Sequence, residues 1–358
     1  MKDLIILQTC IPDYRKKLFT FLNEKYGEDF TLYGGADYFE STVKTDNSIN
    51  FLNRVKNIYL FKRKGLFQTG MWRDILKARV VVLELNPRII SNWIILILRI
   101  LLGKKTVLWG HAWPKNGERS LTDVIRGGMR QLGSQILVYT VSQKRELQIK
   151  MPHKNITCAP NAVFYKKEMV NNSDNDLIQN IIYVGRLTES KKPLFLVKAF
   201  NKVLGFLPTE AKLIIVGEGE EKQNLLNYIN DNNLEGRVLV KGHIGSYEKL
   251  KSLYDTSLLS VSPGYIGLSV TQSFGFGVPM IVSKFEKHSP EIEAVKEGNN
   301  SVYFETDNVD SLADKILDFY NNRGYWLKQR EQILDFCKEN YSIEVMAEAF
   351  VSLNPKKI

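Results

Sequence analysis

The sequence predicts an α/β protein built from two doubly wound, Rossmann-like domains. Three observations carry this. Short apolar runs rich in Val, Ile and Leu recur at parallel-sheet spacing in both halves. Helix-patterned segments separate them. One polar stretch, Lys166 to Asn180, is crowded with Asn, Asp and Ser and divides the two series. At 358 residues the chain is long enough for two cores. The boundaries fall at 1–163 for the first domain and 164–335 for the second, with a helical tail over 336–358.

Leu4 to Leu7 is the first strand, and Gln8 to Asp13 the loop at its carboxyl end. Tyr14 to Tyr26 reads helical, with Leu18, Phe19, Phe21 and Leu22 on one side. Thr31 to Tyr33 is a strand closing at Gly34-Gly35, and Asp37 to Asn50 is a long polar loop. Arg54 to Lys64 alternates basic and apolar residues, as an edge strand guarded by charge or a membrane-facing patch would. Val80 to Glu84 and Thr106 to Trp109 are buried strands. The run Ile89 to Leu102 between them is too short to span a bilayer and is broken by Asn92 and Arg99. It reads as a core helix, with an interfacial helix flanked by Arg88, Arg99, Lys104 and Lys105 as the alternative. Gln135 to Val141 is the next strand, Ser142 caps a helix reaching Lys150, and Ile156 to Ala159 ends the first series.

The second series opens with a strand at Ile181 to Val184, which ends in Gly185-Arg186-Leu187. A helix follows over Pro193 to Val203. Lys212 to Val216 ends in Gly217-Glu218-Gly219, and Glu221 to Asn230 is helical. Val238 to Lys241 ends in Gly242-His243, before a helix at Tyr247 to Tyr254. Leu258 to Val261 then runs into the loop Ser262-Pro263-Gly264-Tyr265-Ile266-Gly267. A short helix from Leu268 to Phe276 stops at Gly277 and Pro279, ahead of a strand at Met280 to Val282. A helix to Glu297, a strand at Val302 to Phe304, a helix at Val309 to Asn321 and a helical tail from Trp326 to Phe350, broken near Asn340-Tyr341-Ser342, complete the chain.

The net charge of +10 is unevenly placed. Between Met1 and Pro160, Lys and Arg outnumber Asp and Glu by 26 to 13, whereas the remainder holds 23 against 26. A basic first half suits an anionic partner such as phospholipid, nucleic acid or a pyrophosphate-linked substrate. The cysteines Cys10, Cys158 and Cys337 are odd in number and far apart, which excludes a disulfide framework and fits a reducing cytoplasm. The segment MKDLIILQTC turns polar too soon for a signal peptide.

Ligands of open parallel sheets bind beyond the carboxyl ends of the strands. The second domain places Gly185 and Arg186, Gly217, Lys241-Gly242-His243 and the Pro263 to Gly267 loop there. A glycine-bearing loop before a helix offers free amides to phosphate. Arg186 and Lys191 share one turn and together suit a diphosphate. A dinucleotide fold needs G-x-G-x-x-G after its first strand. Here that strand leads into Gln8-Thr9-Cys10-Ile11-Pro12, and Gly217-Glu218-Gly219 lacks the third glycine. No Walker lysine motif, serine nucleophile elbow or zinc spacing is present. Asp174-Asn175-Asp176 is a D-x-D, but no apolar strand precedes it to present a metal.

These stretches carry a resemblance. GRLTESKKP at Gly185–Pro193, IIVGEGEEKQNL at Ile214–Leu225, the VKGHI turn, GLSVTQSFGFGVPMIVS and the ending NYSIEVMAEAF resemble the second domain of GT-B-fold retaining glycosyltransferases of family 4. IPDYRKKLF at Ile11–Phe19 and LWGHAW at Leu108–Trp113 are similar to members that build bacterial surface polysaccharides. The resemblance covers most of the chain. It implies two domains facing across a cleft, with the last helix crossing back to the first.

The resemblance also implies roles. Arg186 and Lys191 match the pair that holds the donor's diphosphate. The backbone at Gly267, Leu268 and Ser269, with Gly264, Tyr265 and Ile266 before it, matches the loop that meets the phosphates. Gly185 and Gly217 stand on the same side, and Lys241-Gly242-His243 matches the nucleobase wall. His111 matches a first-domain histidine near the transferred sugar. Transfer would proceed from a nucleotide-diphosphate sugar with retention and without metal or other cofactor. The acceptor would be a lipid-linked sugar or oligosaccharide on the basic domain, at an anionic membrane surface on the cytoplasmic face, with Arg15, Lys16, Lys17 and Arg54 to Lys64 as candidate contacts and no nucleic acid. The family's two glutamates, eight positions apart, stand where this chain has Gly264 and Gln272. Gln272 keeps a hydrogen-bonding amide for ribose, whereas Gly264 offers only backbone. The substitution leaves two other readings open: a degenerate GT-B protein that binds nucleotide or a partner, and a sugar-nucleotide epimerase of similar fold.

Overall fold

Apolar runs that alternate with helices become parallel strands buried on both faces. The computed structural model describes residues 2–353 apart from 42, 115–116, 119 and 172–173. The chain divides into two compact units. One comprises Met1–Val163 with Ile343–Ile358, and the other Phe164–Ser342.

The first unit contains β1 (Leu4–Gln8), α1 (Lys16–Tyr26), β2 (Phe30–Gly34), β3 (Leu52–Arg54), β4 (Lys56–Leu60), β5 (Gly65–Thr69), α2 (Trp72–Lys77), β6 (Val80–Glu84), α3 (Ile90–Leu101), β7 (Lys105–Trp109), α4 (Leu121–Leu132), β8 (Gln135–Val138), α5 (Val141–Lys150) and β9 (Asn155–Cys158). Seven strands form one parallel sheet in the order β3-β2-β1-β6-β7-β8-β9. Ile5, Leu7, Val81, Leu83, Leu108 and Ile136 fill one core beneath α3, α4 and α5. The sheet reverses its winding between β1 and β6, which places the switch point at Gln8 and Glu84.

Strands β4 and β5 form a separate antiparallel hairpin. Arg54 to Lys64 therefore holds the last residue of β3, the edge strand of the main sheet, and then β4 and its turn. The turn holds Phe61, Lys62 and Arg63 at φ of 51°, 52° and 64°. Each non-glycine residue in that region costs about 1–2 kcal/mol. Arg63 meets this cost with hydrogen bonds to the Asp37 carboxylate (2.7 Å) and the Phe39 carbonyl (2.9 Å).

The second unit contains β10 (Asn180–Val184), α6 (Pro193–Val203), β11 (Leu213–Val216), α7 (Lys222–Asp231), β12 (Val238–Val240), α8 (Tyr247–Asp255), β13 (Ser257–Ser262), α9 (Ser269–Gly275), β14 (Met280–Ser283), β15 (Ser301–Phe304), α10 (Val309–Asn321) and α11 (Arg323–Tyr341). Its parallel sheet runs β12-β11-β10-β13-β14-β15. In order of appearance this is 3-2-1-4-5-6, the dinucleotide-fold winding, with its switch point between β10 and β13. Helix α12 (Ile343–Val351) returns to the first unit and packs on α1.

Several expectations need correction. The cap of α5 is Thr140, whose hydroxyl accepts the Gln143 amide at 3.0 Å, because Ser142 already lies inside the first turn. The helix expected up to Glu297 is a 3-10 turn over Pro290–Ala294, since Val295 is extended and Gly298 takes a positive φ. Arg99 is not one of the surface cations expected around the Ile89–Leu102 helix. It is fully buried and donates to Thr106 Oγ1 (2.9 Å) and the Lys105 carbonyl (2.7 Å). Helix α11 stays with the second unit through Tyr341, and extended Ser342 separates it from α12, so the return starts at Ile343 instead of Phe336. Residues 354–358 of the expected tail, and Asn172 and Ser173 of the expected linker, lie outside the described residues. Asp174 caps a one-turn 3-10 helix through the Asp176 amide (3.0 Å). No group of three or more His, Cys, Asp or Glu among the described residues could hold a metal ion.

Candidate functional site

The switch point of the second unit brings two loops together. One leaves β10 at Gly185 and carries Arg186 and Lys191. The other leaves β13 and runs from Pro263 to Gly267. They are stitched by backbone: the Tyr265 amide donates to the Ser190 carbonyl at 2.8 Å. Lys191 crosses the same seam, its Nζ donating to the Tyr265 carbonyl at 2.6 Å and lying 4.6 Å from the Tyr265 ring centre. Gly264 permits this approach. A Cβ there would sit 2.3 Å from the Ser190 carbonyl oxygen and 3.0 Å from the Lys191 carbonyl carbon. The family's first glutamate therefore has no room at this position.

Beyond Gly264 the chain turns into α9. The amides of Gly267, Leu268 and Ser269 precede or open this helix, where intrahelical acceptors are lacking. Lys191 Nζ would stand 3.7 Å from a Cβ on Gly267, so a cation and these amides share one place. Burial and, after it, neighbouring Arg186 lower the Lys191 pKa to about 8, with Glu291 opposing them. A half-buried ammonium held at this cost gains most from an incoming anion. Arg186 itself is exposed, and its carbonyl accepts the buried Tyr183 hydroxyl at 2.8 Å.

Further along the sheet, Gly185 donates to Val216 (3.0 Å) and Gly217 to the Gly242 carbonyl (2.8 Å). A Cβ on Gly217 would meet the Gly185 oxygen at 1.8 Å, so the three strand ends can lie this close only with glycine. Lys241 and His243 are exposed at the end of β12, with β11 and β10 between that strand and β13, which carries the Tyr265 loop. Gln272 is half-buried on α9, and its side-chain amide has no hydrogen-bond partner among the described residues.

Sequence reasoning missed two supports. His288 Nδ1 accepts the Ile266 amide at 3.1 Å, while Nε2 lies 2.8 Å from the Ser283 carbonyl. This fixes the tautomer with the proton on Nε2, donating to Ser283. Glu291 is buried nearby and receives the Ser289 hydroxyl. The only signal was the His288-Ser289-Pro290-Glu291 run beyond β14.

His111 belongs to the other unit. It is exposed at the end of β7, 4.8 Å from the Tyr139 ring in an edge-to-face contact, and its carbonyl accepts Arg126 Nη1 at 2.9 Å. The Arg15 guanidinium stacks 4.5 Å from the Trp109 ring centre. At the switch point of this unit stands Glu84, which sequence reasoning took only as a strand end. Its carboxylate accepts the Thr9 amide and the Thr9 hydroxyl (3.0 Å). Burial raises its pKa to about 7, against those two donors and Arg15.

Residues 167–336 match the family described as Glycosyl transferases group 1. The chain is 26% identical over 225 residues to poly(ribitol-phosphate) alpha-N-acetylglucosaminyltransferase of Staphylococcus aureus, covering 61% of this chain and 43% of that one. It is 42% identical over 168 residues to N-acetylgalactosamine-N,N'-diacetylbacillosaminyl-diphospho-undecaprenol 4-alpha-N-acetylgalactosaminyltransferase of Campylobacter jejuni, covering 44% and 43%. The chain thus spans less than half the length of these two relatives. Among solved structures, Anabaena HepE in complex with UDP superposes with a TM-score of 0.72 over 99% of this chain and 100% of that one, at 13% identity. Over residues 167–336 the chain is therefore similar to the glycosyl transferases group 1 family, and its two Rossmann-like halves have the GT-B fold.

Proposed function

We propose that the protein is a retaining, metal-independent glycosyltransferase that moves a sugar from a nucleotide-diphosphate sugar to a growing, lipid-linked surface polysaccharide or oligosaccharide. The observation that carries this is Lys191, drawn into the β10–β13 switch point beside Arg186 and the amides of Gly267 to Ser269. Both relatives described above are named for α-linked transfer, and one for a diphospho-undecaprenol substrate.

In this reading the bond between the anomeric carbon and the diphosphate oxygen breaks as the acceptor hydroxyl bonds to the same face of that carbon. Negative charge develops on the leaving diphosphate. Arg186, Lys191 and the α9 amides stabilise it, which supplies in place what a metal would otherwise provide. The departing phosphate oxygen takes the acceptor's proton. Gly264 leaves sugar recognition on that side to backbone, while Gln272 takes the ribose and Lys241-Gly242-His243 flank the base. The chain would act as a peripheral protein on the cytoplasmic membrane face.

A thermal-shift screen with UDP, GDP and their sugars, followed by transfer assays on lipid-linked acceptors, tests this. Charge-assisted hydrogen bonds to phosphate contribute about 1.5–3 kcal/mol each. Arg186→Ala and Lys191→Ala should therefore each weaken nucleotide-diphosphate binding by roughly 10- to 100-fold and abolish transfer, with circular dichroism unchanged. Full activity in both variants would overturn the assignment. Nucleotide binding without turnover on any acceptor would leave a binding protein, and product formed without acceptor an epimerase.

A further inference from the structure

Helix α4 is turned inside out. Its charged residues point inward: Asp123 and Arg130 are 4% and 1% exposed and joined by two hydrogen bonds of 2.9 Å. Its apolar residues face outward, with Leu121, Val124 and Ile125 exposed by 87%, 73% and 56%. Spacing of three and four residues puts these side chains on one face. A helix that rests against water carries the opposite pattern. Helix α3 packs beside it, close enough that a Cβ on Gly128 would touch the Trp93 ring at 3.7 Å. It too buries its arginine, Arg99, and exposes Ile94, Ile97, Ile100 and Leu101.

On its other flank α3 packs against β5 of the β4–β5 hairpin. Arg88, just before α3, donates to the carbonyls of Arg63 (2.6 Å) and Lys64 (3.1 Å). The tip of that hairpin is the strained turn at Phe61 to Arg63, and it holds Phe61 76% exposed between exposed Lys62, Lys64 and Arg88. Strain that the surrounding bonds maintain is a mark of a working surface.

We propose that α3, α4 and this hairpin tip form a docking face for an anionic lipid bilayer. The aliphatic side chains and Phe61 enter the acyl boundary, and Lys62, Lys64 and Arg88 meet lipid phosphates. Charge selects lipid over protein. No acidic side chain is exposed on α3, on α4 or at the tip, because Asp123 is sealed beneath Arg130. The large exposed apolar side chains of both helices are all aliphatic, whereas protein interfaces favour aromatic residues and methionine. No helix among the described residues is long and apolar enough to cross a membrane, so the face lies on the bilayer. The inference rests on the lipid-linked acceptor reading for its purpose, and it moves the membrane contact from Arg15, Lys16 and Lys17 to α3 and α4.

The test is co-sedimentation of the full chain with phosphatidylglycerol vesicles and with phosphatidylcholine vesicles. The protein should bind the anionic vesicles selectively. Val124→Asp with Ile125→Asp should lower the bound fraction about tenfold. Lys62→Glu with Lys64→Glu should weaken binding and reduce its salt dependence. Phe206→Asp, in the second unit and 79% exposed, should bind as the unaltered chain does. Nucleotide thermal shifts on every variant report the donor site separately, so that failure of one reading leaves the other standing. Absence of binding to anionic vesicles, or binding undiminished by the α4 substitutions, overturns the proposal. So does a dimer in ultracentrifugation that those substitutions dissociate while vesicles stay bare.

Discussion

Lys191 shows how a single residue couples burial to chemistry. Its pKa in the folded protein, about 8, lies well below the usual lysine value, chiefly through burial. The ammonium that would grip a diphosphate is therefore lost from the free protein as pH rises through about 8. Nucleotide-diphosphate affinity should fall across that window, and Lys191→Arg, which stays charged, should flatten the profile. Calorimetric titration with UDP between about pH 7 and 9 checks this; an affinity indifferent to pH would remove Lys191 from the phosphate. His288 works in the opposite direction. Burial, with Lys191 assisting, keeps its pKa below 6.5, and the fold needs the neutral ring to accept the Ile266 amide. Below about 6.5 the unfolded chain binds more protons than the folded one, so stability of the loop falls with pH. The Ile266 amide should then lose protection, its exchange approaching the intrinsic rate as pH falls. Gly264 argues a third case. Restoring the family carboxylate as Gly264→Glu drives a Cβ into the Ser190 carbonyl, and overpacking of this kind costs about 1–3 kcal/mol. The variant should lose nucleotide affinity in a thermal-shift assay. An affinity gain would show that the loop can open.

Elements differ in how far their own residues announce them. Pro193 marks the start of α6 in the sequence, and α10 opens at the expected Val309, where Asn308 caps it through the Ser311 amide (2.9 Å). The strands were legible because burial on both faces demands unbroken Val, Ile and Leu. Helix α4 was not, because Gly127 and Gly128 weaken its propensity and its apolar side faces outward, so the usual search for an inward stripe fails. Strand β5, with Gly65 and Gln68 in five residues, reads as loop until its pairing with β4 supplies the hydrogen bonds. The candidate site divides likewise. Glycines and cations at strand ends were visible as types, since close backbone approach and phosphate each demand them. Glu84, His288 and Glu291 take their meaning from partners far away in sequence, and no local pattern marks them. Capping offers a direct check on one correction. Thr140→Val should destabilise α5 by about 1 kcal/mol, whereas Ser142→Ala should cost far less. Equal losses in urea titrations would return the cap to Ser142.

At the scale of the molecule, the two units hold separate cores, and α12 ties the end of the chain into the first. Phe350 is fully buried, with its ring 4.9 Å from Trp109 in an edge-to-face pair. Trp109 in turn packs edge-to-face with Phe19 of α1 at 6.4 Å. The second unit closes on its own aromatic stack, Phe319 on Trp326 at 4.3 Å. Phe350→Ala removes a large side chain from the first core, a change that costs about 3–5 kcal/mol. For a unit of this size that is roughly 10 °C in melting temperature. Nucleotide, bound at Arg186 and Lys191, should instead raise the melting of the second unit by mass action. Scanning calorimetry of both proteins with and without UDP therefore predicts two responses. The substitution lowers one transition and leaves nucleotide affinity intact, and the nucleotide raises the other. A single transition that moves with both would mean that the units unfold together, and that the two cores stabilise one cooperative structure.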